Sequence, residues 1–99
     1  MARKLRRSSG NVFRDLGFPA EEAENLRIRS ELMARLSRVI EDERLTQVEA
    51  AQLLGVTQPR VSALVRGKID LFSIDTLVKM LSRVGVRVTV TARARKRVA

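Results

Sequence analysis

Residues 46–67 restrict the fold of this chain more than any other stretch, because they encode two short helices in immediate succession, each with its own start and stop signal. In Thr46-Gln-Val-Glu49 the Thr hydroxyl can accept the third backbone N–H of a helix while Glu49 reaches back to the N–H of Thr46. That capping box predicts a helix over 47–54. Gly55 then supplies the turn, since a residue without Cβ takes positive φ at little cost. Thr57 is a good N-cap for a second helix over 58–65, and Pro59 is tolerated because it falls in the first turn, where its missing N–H has no partner to lose. Gly67 closes that helix.

Two helices this short dock at a steep angle only where small residues meet at the crossing and apolar residues bracket the turn. Ala50 and Ala51 meet the first demand, and Leu54, Val56, Val61 and Leu64 are spaced to point into one core. The pattern is that of a helix-turn-helix, whose second helix can enter a DNA major groove. Its outward side is expected to carry Gln58, Pro59, Arg60, Ser62 and Ala63. The Gln58 amide suits the paired N6 and N7 groups of adenine, whereas the Arg60 guanidinium suits guanine or grips the backbone instead. Ser62 and Ala63 are small enough to admit the helix closely and to touch a thymine methyl. Phosphate contacts are assigned to Gln47 and Thr57 at helix N-termini and to Arg66 and Lys68 beyond the reading helix. The plainer alternatives are that Thr57 only caps and that Arg66 only neutralises a helix C-terminus.

Charge agrees with a polyanionic partner. Twenty Lys+Arg against eleven Asp+Glu give a net +9, which draws nucleic acid first and an acidic membrane surface second. The chain has neither Cys nor His, which removes disulfides, thiolate and imidazole metal sites, Cys nucleophiles and any triad built on a His base. The carboxylates gather at Glu21, Glu22, Glu24 and at Glu41, Asp42, Glu43, at the ends of a predicted helix, where solvated charge explains them. No enzyme activity, cofactor or metal is therefore expected. No window approaches the roughly eighteen apolar residues that span a bilayer, and Met1-Ala-Arg-Lys-Leu-Arg-Arg lacks the apolar stretch of a secretory signal, so the expected place is the cytoplasm, with no membrane partner.

Along the chain, residues 1–18 read as a basic arm without sustained periodicity, 19–85 as the helix-turn-helix domain, 86–92 as a strand and 93–99 as a basic tail. Pro19 opens a long helix whose apolar side is Ala23, Leu26, Met33, Leu36 and Ile40, flanked by Leu32 and Val39. Residues 68–72 read as a loop. Ser73 caps a further helix with Ile74, Leu77, Val78, Leu81 and Val84 at helical spacing, and Gly85 stops it. Val86-Arg-Val-Thr-Val-Thr91 alternates and is β-branched, hence the strand.

The run Leu45-Thr-Gln-Val-Glu-Ala-Ala-Gln-Leu-Leu-Gly-Val-Thr-Gln-Pro-Arg-Val-Ser-Ala-Leu-Val-Arg-Gly67 resembles the helix-turn-helix of the XRE (Cro/C1-type) regulators, a likeness that extends over about residues 28–84. Ser9-Gly-Asn-Val-Phe-Arg-Asp-Leu-Gly-Phe-Pro19 and the strand-like 86–91 are similar to the flanks of the HigA-type antitoxin subgroup. The resemblance implies a mainly α, four- to five-helix Cro/C1-type domain that binds double-stranded DNA. It further implies a RelE/HigB-like toxin partner and repression of the chain's own operon. Pro59 departs from many relatives, which carry a polar residue there, and removes a donor.

A lone strand cannot satisfy its own backbone, so 86–91 must find a second strand. A second copy would pair Val86, Val88 and Val90 across a homodimer and set two reading helices for half-sites about 34 Å apart. The strand could instead augment a toxin's sheet. Likewise Val12, Phe13, Leu16 and Phe18 are either packed on the domain or offered to a partner, and the basic ends 3–7 and 93–97 either follow phosphates or stay solvated. Three functions remain: repressor and antitoxin, regulator without a toxin, or interaction module that no longer reads DNA.

Overall fold

The structure, a computed structural model, describes residues 10–94. Five α-helices follow in order: α1 (Val12–Asp15), α2 (Ala20–Asp42), α3 (Gln47–Leu54), α4 (Gln58–Val65) and α5 (Ile74–Arg83), with a 3₁₀ turn (Ile69–Leu71) between the last two. The long helix α2 is the spine: α1, α4, α5 and the 3₁₀ turn all lie against it, while α3 packs on α4 and α5. Its buried positions are Ala23, Leu26, Met33, Leu36 and Ile40, the stripe expected from the sequence. Pro19 stands one place before the first helical residue, as its cap.

The main core joins Met33, Leu36 and Ile40 of α2 to Ala50, Ala51 and Leu54 of α3, Val61, Ala63 and Leu64 of α4, Phe72, and Leu77, Met80 and Leu81 of α5. Each large aliphatic side chain so enclosed contributes about 1.5–3 kcal/mol. Phe72, only 1% exposed, fills the centre from a segment whose composition reads as loop. That segment is a 3₁₀ turn rather than irregular chain because Leu71 and Phe72 bond back to the carbonyls of Lys68 and Ile69.

Helices α2, α3, α4 and α5 end alike. After each, one residue turns left-handed (Arg44, Gly55, Gly67, Gly85), and the next N–H (Leu45, Val56, Lys68, Val86) returns 3.0 Å to a carbonyl five residues back. Apolar C-terminal residues are thereby folded onto the core, where Leu45, Val56 and Val86 are half-buried.

The N-terminal segment, read as an arm, contains the single turn α1, docked on α2 through Asn11. That buried side chain accepts from Phe13 N and Arg14 N at 2.9 and 3.3 Å and donates to the Ala23 carbonyl at 3.1 Å. Phe13 meets Phe18 edge to face at 6.1 Å, while Val12 and Leu16 remain exposed. The segment is thus packed on its own domain through Asn11, with Val12 and Leu16 left outside the core.

The expected strand over 86–92 does not form among the described residues. A ladder needs a second strand and the described chain contains none, so Val86 and Val88 rest on the core while Val90 is 83% exposed. The expectations for residues 3–7 and for most of 93–97 lie outside the described residues. No helix among those described is long and apolar enough to cross a membrane.

Candidate nucleic-acid interface

The helix-turn-helix is built as its signals require. Thr46 Oγ1 accepts Glu49 N at 3.1 Å and Glu49 Oε1 accepts Thr46 N at 2.9 Å, which closes the capping box at the head of α3. Gly55 (φ 71°) makes the turn. Thr57 Oγ1 accepts Arg60 N at 3.3 Å and starts α4, with Pro59 in its first turn.

A cap of a different kind holds the turn. Arg83, at the end of α5, lies across Gly55 and donates from Nε to the Leu53 carbonyl at 3.2 Å. A Cβ at position 55 would stand 2.7 Å from that Nε, so a side chain there would push Arg83 aside, while the left-handed backbone itself is what favours glycine. The sequence offers no sign of the contact, which joins residues thirty positions apart.

On α4 the core takes Val61, Ala63 and Leu64, leaving Gln58, Pro59 and Val65 exposed and Arg60 and Ser62 half-buried. Gln58 is therefore free to project from the helix N-terminus. Ala63 is the correction here: it is 8% exposed and packs in the core, because five residues from Gln58 a helix has turned well past its outer face. Gln47 and Thr57 are exposed at the heads of α3 and α4, where the helix dipole favours an anion. Arg66 and Lys68 are exposed just beyond α4. Arg60, in contrast, bends over the protein, donating from Nη1 to the Leu71 carbonyl at 3.0 Å, with its guanidinium 5.1 Å from the centre of the Phe72 ring.

Charge is distributed unevenly around this surface. Residues 44–68 carry Arg44, Arg60, Arg66 and Lys68, and their one acid, Glu49, is spent on its cap. On α2, Arg27 is bracketed by Glu24 at 2.6 Å and Glu31 at 2.7 Å, and the hydrogen bonds it donates, to Glu24 first and then to Glu31, raise its pKa above the usual arginine value. Among the described residues no cluster of three or more potential metal ligands exists.

Two capped helices about a left-handed turn, with an exposed amide at the head of the second and a locally cationic surface, define a DNA-binding helix-turn-helix protein. A family described as a helix-turn-helix domain matches residues 12–93, and the chain belongs to it, as an XRE-type DNA-binding regulator and not an enzyme. A Mycobacterium tuberculosis protein named as an antitoxin, HigA2, is 33% identical over 84 residues, which cover 84% of this chain and 83% of that one. A solved structure described as an XRE-family transcriptional regulator superposes with a TM-score of 0.67 at 35% identity, covering 79% of this chain and 90% of the other.

Proposed function

We propose that the protein is a sequence-specific repressor of its own operon and the antitoxin of a HigBA/RelE-like toxin pair, acting in the cytoplasm as a homodimer. The likeness to HigA2 over most of both chains carries the antitoxin half of this reading. The reading of DNA is supported by the exposure of Gln58 at the head of α4, and the phosphate contacts assigned to Gln47, Thr57, Arg66 and Lys68 by the exposure of those residues at the helix heads and just beyond α4.

Dimerisation would complete the segment after α5. Val86 and Val88 line a depression with Val78, Ser82 and Gly85, and Val90 stands free. A second copy pairing there would cover these side chains and provide the ladder that the described residues of one chain lack.

The test is co-expression with the product of the adjoining gene, followed by size-exclusion chromatography and by selection of duplexes from a randomised pool. A co-purifying toxin and an enriched two-fold-symmetric site are expected. An adjoining product that fails to associate removes the antitoxin role, and failure to enrich any duplex removes the repressor.

A further inference from the structure

The turn that follows the reading helix is held by two arginines from different helices. Arg29 of α2 donates from Nη1 to the carbonyls of Ile69 and Phe72 at 3.2 and 3.4 Å, and its Nε is itself fixed on Asn25 Oδ1 at 2.7 Å. Arg60 of α4 takes the intervening Leu71 carbonyl at 3.0 Å and covers the ring of Phe72, whose side chain is fully enclosed. A guanidinium suits this task because its planar fork can donate sideways while its face lies on an aromatic ring.

We propose that Arg29 and Arg60 are positioning residues for DNA recognition, clamping the 69–72 turn to the long helix and to the first turn of the reading helix. Arg60 lies two residues from Gln58, and Lys68 immediately precedes the clamped turn. The clamp thus sets the spacing between the base-reading head of α4 and the phosphate-binding residues beyond its end. It also directs the Arg60 guanidinium onto its own chain and leaves Gln58 to read. This inference rests on the DNA-reading function proposed above.

The experiment uses the full chain and duplexes that the wild type enriches from a randomised pool, with every single base-pair variant of that site. Arg60→Gln, Arg29→Gln, their double variant and Arg60→Lys are compared by fluorescence anisotropy at several salt concentrations. Arg60→Gln should weaken binding about tenfold on all variants alike. Arg29→Gln should act in the same direction, with the double variant losing less than the product of the two. Arg60→Lys should recover most of the affinity, because an ammonium can still reach the Leu71 carbonyl and the Phe72 ring; with its charge intact, this variant also reports if the Gln variants do not fold.

A changed preference at one base pair in the Arg60 variants would make Arg60 a base reader and overturn the proposal. So would a salt slope reduced by about 0.9, the mark of a lost phosphate contact. Lowered thermal stability with undiminished affinity would reduce the clamp to a structural tie, again against the proposal. If the wild type enriches no duplex, the DNA-reading function itself fails and the clamp has nothing to position.

Discussion

Arg44 and Gly55 occupy the same left-handed conformation at the ends of consecutive helices, and only one of them is suited to it. A side chain at positive φ crowds its own carbonyl, at about 1–2 kcal/mol. Arg44→Gly should therefore stabilise the protein by up to about 1 kcal/mol, the gain being reduced by the freer unfolded chain. Gly55→Ala should destabilise it by about 1–2 kcal/mol or more, since the new methyl also displaces Arg83 from the Leu53 carbonyl. Urea midpoints at constant slope would check both, and equal shifts of one sign would contradict the argument. At the same scale, Gln58→Ala should relax preference at one base pair, whereas Arg66→Ala should weaken all duplexes alike and lower the salt slope by about 0.9. A gel-shift panel of site variants separates these outcomes.

Helix α3 has eight residues, too few to persist alone in water, so its capping box and its packing on α4 and α5 sustain it together. Thr46→Ala removes the hydroxyl that accepts Glu49 N, while the backbone N–H of residue 46 can still donate to Glu49 Oε1, and should lower stability by about 1 kcal/mol. Because α4 rests on α3, DNA affinity should fall with it, and Thr46→Ser should restore both. A Thr46→Ala protein with unchanged unfolding and binding would show that tertiary packing alone holds the element. Helix α1, a single turn, depends still more on its surroundings. Its position follows from the reach of Asn11 to the Ala23 carbonyl, and its exposed Val12 and Leu16 add little to the core.

Over the whole molecule the acids are segregated. Eight of the eleven fall within residues 15–43, and between Arg44 and Lys68 there is only Glu49. Residues 44–68, with four cations against Glu49 alone, give the helix-turn-helix a local cationic excess that attracts a polyanion to that side. Binding should accordingly weaken steeply from low to physiological salt, log K falling by about 0.9 per neutralised phosphate. A flat response in anisotropy titrations would be incompatible with phosphate contacts. The proposed homodimer can be probed independently: Val90→Asp, at a side chain outside the core, should shift the protein to the monomer in sedimentation, and weaken binding to a two-fold site far more than to a single half-site.

The helix-turn-helix was legible in the residues because its determinants are local: the Thr46 box, the Thr57 cap, the Gly55 and Gly67 turns and the stripe on α2 act within one or two turns of chain. Exposure of Gln58 followed from the same periodicity, while Ala63 was misplaced outward because its smallness suits a groove and a tight core equally. The 86–92 segment alternates as a strand does, but alternation states a tendency and a ladder needs a partner. Contacts between distant residues lay beyond any local pattern. Phe72 became the centre of the core, Arg83 closed over Gly55, and Arg60 bent back to Leu71 because the helices brought them together. Periodicity and capping thus determined which segments are helical and which face is apolar, whereas the destination of each long cationic side chain was decided by the carbonyl or ring that packing placed within its reach.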